Sequence, residues 1–398
     1  MSEKINFNRA AAVALMAVLS LAICFIILGS ISVELMAELS IDSGQFGNLL
    51  FGLFLTSCIV QLFIGPFVDK VGYKPVAILG FIITSLSMLL LAFSSTFSLA
   101  LIACILLGVG AMSLNTVGNT LMPVVLFNGK DPARASNFGN AFFALGYVLT
   151  PLLIVLMLNS LNMSYNSALI IISILLIVFL LITLTVSFPK VSTGFKFSMA
   201  FKVLSKPAVI VAALALFCYL SLETSMATWI RLLMEELYGA GVNVNPAVTT
   251  GVVLSLFGAA MMVGRFLTSA IKNLTAMGPK LLILMSIISL LAIVLMMVAG
   301  SPALGIVAVI VAGLAFAPIF PTIVGVTFSK FEPSLYGSIF GIMFSIGLLG
   351  ATFVPNIIGN LIVDSTVQQS LVIAAIMAAI LIILSLFIGR VGRPKEIN

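Results

Sequence analysis

Gly65-Pro66-Phe67-Val68-Asp69-Lys70-Val71-Gly72-Tyr73-Lys74 is a short charged hinge between two long apolar runs. Each residue type in it has a physical use. Gly65 lets helices approach closely in a membrane. Asp69, at a helix end, pairs with the basic Lys70 and Lys74 or accepts hydrogen bonds from the N-terminus of a neighbouring helix. Gly72 permits a tight turn. The flanking runs, 46–68 and 75–94, are each long enough to cross a bilayer, which takes about 20 apolar residues.

Outward from this hinge the pattern repeats. Twelve apolar runs are long enough to span: 10–33, 46–68, 75–94, 98–122, 136–160, 165–188, 208–232, 247–270, 280–300, 303–328, 337–362 and 369–389. Of the 398 residues, 62% are hydrophobic and 8% charged. An ordinary soluble domain is about 25% charged, so so few charges could not cover a soluble surface of this size. The composition predicts an all-α, multi-pass membrane protein seated in the lipid bilayer.

The one long polar break, Phe188 to Pro207, carries Lys190, Lys196, Lys202 and Lys206 and no acid. It predicts an N-terminal six-helix bundle over 1–188, a basic linker over 189–206 and a C-terminal six-helix bundle over 207–398. Basic residues gather on one side of the spans: Lys4, Arg9, Lys70, Lys74, Lys130, Arg134, the linker lysines, Lys272, Lys280, Lys330, Arg390, Arg393 and Lys395. The other side carries Arg231 and mainly acids: Glu34, Glu38, Asp42, Glu235, Glu236 and Asp364. The positive-inside rule then places both termini in the cytoplasm, with the chain in the cytoplasmic (inner or plasma) membrane.

Several function classes fall away. There is no His in the sequence, so the commonest metal ligand and general base is missing. Cys24, Cys58, Cys104 and Cys218 sit in apolar runs without paired spacing and read as small core hydrophobes. No phosphate-binding Gly-Lys-Ser/Thr loop or nucleophile elbow is present. An enzyme is not expected, nor a resident metal or cofactor. The net charge of +6 is spread over short loops and does not indicate a nucleic-acid partner.

The two halves resemble each other. Leu35-Met36-Ala37-Glu38-Leu39 and Leu233-Met234-Glu235-Glu236-Leu237 close the first and seventh spans, 198 residues apart. Gly65-Pro66-Phe67 and Gly264-Arg265-Phe266 close the second and eighth, 199 apart. Two parallel repeats with a site near mid-membrane at their interface is the major facilitator layout. The hinge motif resembles that superfamily's signature between its second and third helices, where this loop latches the outward-facing state.

A narrower resemblance runs through the chain. Phe217-Cys218-Tyr219-Leu220-Ser221-Leu222-Glu223 and the following Trp229 are similar to a stretch of the fucose–galactose/glucose–proton symporter family. Val263-Gly264-Arg265-Phe266, Phe320-Pro321-Thr322-Ile323, Leu114-Asn115-Thr116-Val117-Gly118-Asn119 and the Asn140–Gly146 segment resemble other parts of it, as does Gly347–Asp364. The resemblance implies a symporter that moves a small polar solute, a sugar or related metabolite, by alternating access with a proton or sodium gradient. A monomer is that superfamily's usual state. The chain also departs from the pattern. The fourth-span position that carries a carboxylate in the family is Asn115, which cannot titrate. The first span has no acid about seven residues after Gly29; its acids, Glu34 and Glu38, lie nearer the outer end.

Glu223 is the leading candidate for coupling. The 198-residue offset sets it at the depth of Phe25, near mid-membrane, where ionisable groups are costly and usually functional. The bland alternative is a Glu locked to a neighbouring Arg or Tyr. Asn115 and Asn119, one turn apart, bind solute, help ligate sodium or glue helices together. Asn140, Gln61, Tyr219 and Thr322 belong to the same candidate set. Trp229 is a sugar platform or an interfacial belt residue, and Asn356 and Asn360 line the cavity or pack. Arg231, about 12 Å along the helix from Glu223, snorkels outward or gates with Glu34. Arg265 reads as the eighth span's counterpart of the latch, or as an anion ligand. Pro318 and Pro321 are expected to interrupt the tenth span and Pro355 the eleventh. Two other functions remain open: an exporter or facilitator of an amphiphilic or metabolite substrate, and a non-transporting membrane sensor on the same fold.

Overall fold

The computed structural model describes residues 7–189, 202–239, 246–362 and 364–392. Lys4, Lys190, Lys196, Arg393 and Lys395, and most of the linker expected at 189–206, lie outside them. The described residues hold twelve helices long and apolar enough to cross a membrane. In chain order the helices are α1 (Phe7–Ser30), α2 (Ser32–Leu39), α3 (Ser43–Val71), α4 (Tyr73–Ala92), α5 (Phe97–Val125), α6 (Pro132–Val155) and α7 (Tyr165–Leu184). After the linker come α8 (Pro207–Tyr238), α9 (Pro246–Ser269), α10 (Leu274–Met297), α11 (Pro302–Phe316), α12 (Ile319–Phe328), α13 (Tyr336–Ile362), α14 (Val367–Ser370) and α15 (Val372–Ile388).

Two places show how local chemistry overrides the apolar pattern. The first span is not one rod: it stops at Ser30 and resumes as α2, whereas α8, its counterpart in the second half, runs unbroken. Ser30 and Ser32 donate their hydroxyls back to the carbonyls of Ile26 and Gly29, and such side-chain bonds compete with the helical ladder. The tenth span breaks at Ala317–Pro318, as expected, and Pro321 falls in the first turn of α12, where its missing N–H costs little. Pro355 does not interrupt its helix. The eleventh span is continuous from Tyr336 to Ile362 with Pro355 inside, which corrects the expected break. Neighbouring groups can satisfy what an intramembrane proline frees.

The helices pack into two compact units. One comprises 1–129, 142–200 and 333–341; the other comprises 130–141, 201–332 and 342–398. In the first, α5 packs against α1, α3 and α4, and α4 against α7. In the second, α8 packs against α9, α12 and α15, while α10 lies against α11, α12 and α15. The opening residues of α13 thus belong to the unit of α3, and those of α6 to the unit of α9 and α10. Helix ends are closed by side chains. Asp42 and Gln45 form a reciprocal capping box at the start of α3. Lys74 Nζ donates to Leu184 O at the end of α7 (2.9 Å), and Lys330 Nζ to Ile388 O and Val391 O at the end of α15. Both lysines sit where the helix dipole favours a cation.

Candidate solute and coupling site

Tyr219 and Glu223 are four residues apart on α8 and share a face. Arg265, on α9, reaches both. Its Nη2 lies 3.3 Å from Glu223 Oε1 and 3.5 Å from the Tyr219 hydroxyl. A proline supplies a further partner. Pro321 has no N–H to donate to Ala317 O, and Arg265 Nε fills that acceptor at 3.2 Å. Arg265 Nη1 donates to Asn140 O on α6 at 3.1 Å. The guanidinium therefore spends its planar set of donors on four oxygens, two on α8, one on α6 and one at the α11–α12 break. The two ends of the ion pair differ in one respect. The Arg265 side chain is 3% exposed, whereas that of Glu223 is 22% exposed. The cation is sealed in and the carboxylate keeps one side open. Tyr219 is fully buried, with its ring 6.3 Å from Phe316 and 6.1 Å from Phe320.

The sequence set Arg265 near a helix end, as a latch residue; the structure brings it into the Glu223 network. Thr322, also in the candidate set, lies in the same unit and accepts from Asn137 Nδ2 at 3.0 Å. Asn140 donates its amide to Ser136 O. Two buried atoms on this part of α6, Ser136 Oγ and Asn137 Oδ1, have no hydrogen-bond partner. Buried polar atoms are nearly always paired with protein or water, so this stretch has capacity to spare. Neither Ser136 nor Asn137 stood out in the sequence.

Gln61, Asn115 and Asn119 form a different arrangement in the other unit. Asn115 Nδ2 donates to Gln61 Oε1 (3.2 Å) and Gln61 Nε2 to Thr116 Oγ1 (3.1 Å), tying α3 to α5. Asn119 Nδ2 donates to Asn115 Oδ1 at 2.9 Å. All three side chains are at most 1% exposed. Removing one member strands the others. Gln61→Leu is expected to lower stability by about 1–2 kcal/mol. Thermal unfolding in detergent checks this, and an unchanged midpoint would show that the network contributes nothing.

The remaining candidates are scattered. Trp229 is half-buried and donates Nε1 to Pro355 O at 3.2 Å, with its ring against Gly359. Asn356 and Asn360 are exposed, and Asn356 donates to Thr352 O in its own helix. Arg231 is exposed on α8, and Glu34 is half-buried on α2 in the other unit.

The hinge is a clasp. Asp69 is 3% exposed and accepts from Gly337 N (2.8 Å), Ser338 N (2.7 Å) and Ser338 Oγ (2.6 Å) at the start of α13. A carboxylate at a helix N-terminus meets unpaired N–H groups and the positive end of the dipole. Lys70 is exposed and Lys74 caps α7. Gly72 sits at φ +90 and ends α3, a conformation that L side chains rarely adopt. At Gly65 and Gly337 the two backbones touch, and a Cβ on either would fall on the other's carbonyl oxygen.

A second clasp escaped the sequence reading. Asp131 accepts from Leu274 N (2.8 Å), Thr275 N (2.9 Å) and Thr275 Oγ1 (2.6 Å) at the start of α10. It also accepts from Arg134 N, so the same carboxylate caps its own helix, α6. Arg134 Nε donates to Ser269 O at 2.8 Å. An Asp-Pro pair opening an apolar run is a helix-start signal; the partner helix, more than 140 residues on, has no local signature.

Comparison with known proteins agrees with this architecture. The E. coli fucose:proton symporter FucP superposes with a TM-score of 0.75 at 18% identity, over 95% of this chain and 99% of that one. The human organic anion transporter MFSD10 does so with a TM-score of 0.75 at 14% identity, over 96% and 100%. At such identities the likeness is one of fold. The rat chromaffin granule amine transporter is 29% identical over 108 residues, 27% of this chain and 21% of that protein. The chain thus matches about a fifth of the length of its curated relatives. A family model described as the Major Facilitator Superfamily matches residues 13–355. With twelve spans, an intramembrane ion pair and a clasped hinge already in place, a match over that much of its length means that the chain belongs to the Major Facilitator Superfamily of membrane transporters.

Proposed function

We propose that the protein is a secondary active transporter of a small polar solute, a sugar or related metabolite, and that Glu223 couples its movement to a proton or sodium gradient. The observation that carries this reading is the half-open Glu223–Arg265 pair. A carboxylate within a membrane span is costly unless paired, and here the partner is sealed while the acid keeps an open side. Glu223 can then exchange its bond to Arg265 for a proton, a cation or a solute hydroxyl. The basic residues on one set of loops support cytoplasmic termini and a cytoplasmic-membrane location.

The test is uptake into proteoliposomes. L-fucose, D-galactose, D-glucose and D-xylose are offered under imposed proton or sodium gradients. Accumulation of one of them is expected, with a fall of at least about tenfold, or about 1.4 kcal/mol, in Glu223→Gln. Gradient-driven uptake that survives this substitution overturns the coupling role.

The short match to an amine transporter favours a second solute class. An organic amine would set its ammonium on the open side of Glu223. A parallel panel of amines separates the two readings by which class is accumulated.

A further inference from the structure

Within the second unit, α10 and α15 run antiparallel along a seam. At one end of it Gly389 packs on the ring of Pro279, so closely that a Cβ at 389 would lie 2.6 Å from the proline Cβ. Two turns further in, Ser286 Oγ and Ser385 Oγ share a hydrogen bond at 3.3 Å. A cation stands on each side of the glycine end. Lys280 follows Pro279, Arg390 follows Gly389, and both are exposed. Neither is paired with a carboxylate among the described residues. Lys330, the third cation of this corner, is already spent on Ile388 O and Val391 O, and Glu332 stands two residues beyond it.

An apolar surface continues from both cations. On α10, Leu284 lies one turn beyond Lys280 and is 52% exposed. On α15, Phe387 and Ile383 lie one and two turns before Arg390 and are 45% and 55% exposed. Exposed apolar side chains on a membrane span meet lipid tails and need no further partner. The cations are different. They come from separate helices, are held at a fixed spacing by the Gly389–Pro279 contact, and no side chain of residue 389 fills the space between them. Two positive groups above a pair of apolar faces are the complement of an amphiphile with an anionic head.

We propose that this seam binds an anionic phospholipid, its phosphate held between Lys280 and Arg390 and its acyl chains lying along Leu284, Ile383 and Phe387. The planar Arg390 guanidinium suits two phosphate oxygens, and the Lys280 ammonium supplies a point charge. A zwitterionic head would bring its own ammonium against two cations. A free phosphate would meet the cations and leave the apolar faces uncovered. The inference concerns the second unit alone and does not depend on Glu223 or on the class of solute.

The full-length protein in mild detergent is titrated with phosphatidylglycerol or phosphatidylcholine, and bound lipid is counted by native mass spectrometry. One phosphatidylglycerol is expected to bind at least about tenfold more tightly than phosphatidylcholine. Lys280→Gln/Arg390→Gln should abolish that preference, and Lys280→Arg/Arg390→Lys should keep it. Leu284→Ser/Phe387→Ser should weaken phosphatidylglycerol binding several-fold. Lys130→Gln/Lys272→Gln removes the same charge from exposed positions elsewhere in the unit and should leave binding unchanged. The proposal is overturned by equal affinity for the two lipids, or by equal losses in the two glutamine pairs, which would mean diffuse attraction. It is also overturned by full affinity in Leu284→Ser/Phe387→Ser, or by displacement of the lipid with inorganic phosphate, which would make this a site for a free anion.

Discussion

Gly337→Val is expected to pull the start of α13 off α3 and to inactivate the protein without unfolding its helices. The Gly337 N–H donates to Asp69 Oδ1, and a Cβ at this position would fall 2.6 Å from that same oxygen and onto the carbonyl of Gly65. Asp69 could swing aside only by giving up its bonds, and the Gly65 carbonyl is backbone that cannot move cheaply. The helices must separate, and Asp69 then loses three donors at once. Bonds to a charged group contribute about 1.5–3 kcal/mol each and are not additive, so a loss of about 3 kcal/mol is expected. Asp69→Asn keeps the shape and removes the charge, and should cost about 1 kcal/mol, the size of a helix-dipole interaction with an anion. Thermal unfolding ranks the two variants, and uptake into proteoliposomes reports their function. Equal midpoints for Gly337→Val and the wild type would show that the contact is not closed in solution.

The second large effect is expected at Arg265. Arg265→Met leaves Glu223 inside a membrane-spanning helix without its counter-charge, and removing one partner of a buried pair costs about 3–5 kcal/mol. It also abandons Ala317 O, which Pro321 has already deprived of its helical partner. Adding Glu223→Gln to Arg265→Met should recover most of the loss, because the stranded charge is then gone while the carbonyl remains unpaired. A double-mutant cycle by thermal unfolding measures the coupling. Simple additivity of the two substitutions would mean that the residues do not interact. Transport should stay low in the double variant even as stability returns, which separates the folding contribution of the pair from its role in coupling.

The spans were legible because a bilayer imposes one strong local rule: about 20 apolar residues in a row. Asp69 was legible for a related reason. A short hinge with one acid and two glycines has few uses at a helix end, and one of the uses read from it, accepting from a neighbouring helix N-terminus, is the arrangement found. Asp131 carries out the same chemistry. It went unread because its local setting, an acid before a proline, is also that of any capped helix. Gln61, Asn115 and Asn119 were visible as polar residues in apolar runs. That they bond to one another in the packed interior depends on how α3 crosses α5. Arg265 shows the limit most clearly. Its depth along α9 followed from the hydropathy pattern, but its partners come from α6, α8 and the broken α11–α12 connection.

The amino-acid sequence by itself determined the twelve spans, the break at Pro318 and the hinge at 65–74. These depend on hydrophobic length, on a missing N–H and on a glycine turn, all properties of neighbours in the chain. Only the tertiary structure decided that Glu223 meets Arg265 and that Asp131 caps α10. Such contacts join residues from about 40 to more than 140 positions apart. They are set by the rotation and crossing of packed helices, for which hydropathy carries no signal because every face that meets lipid or another helix is apolar.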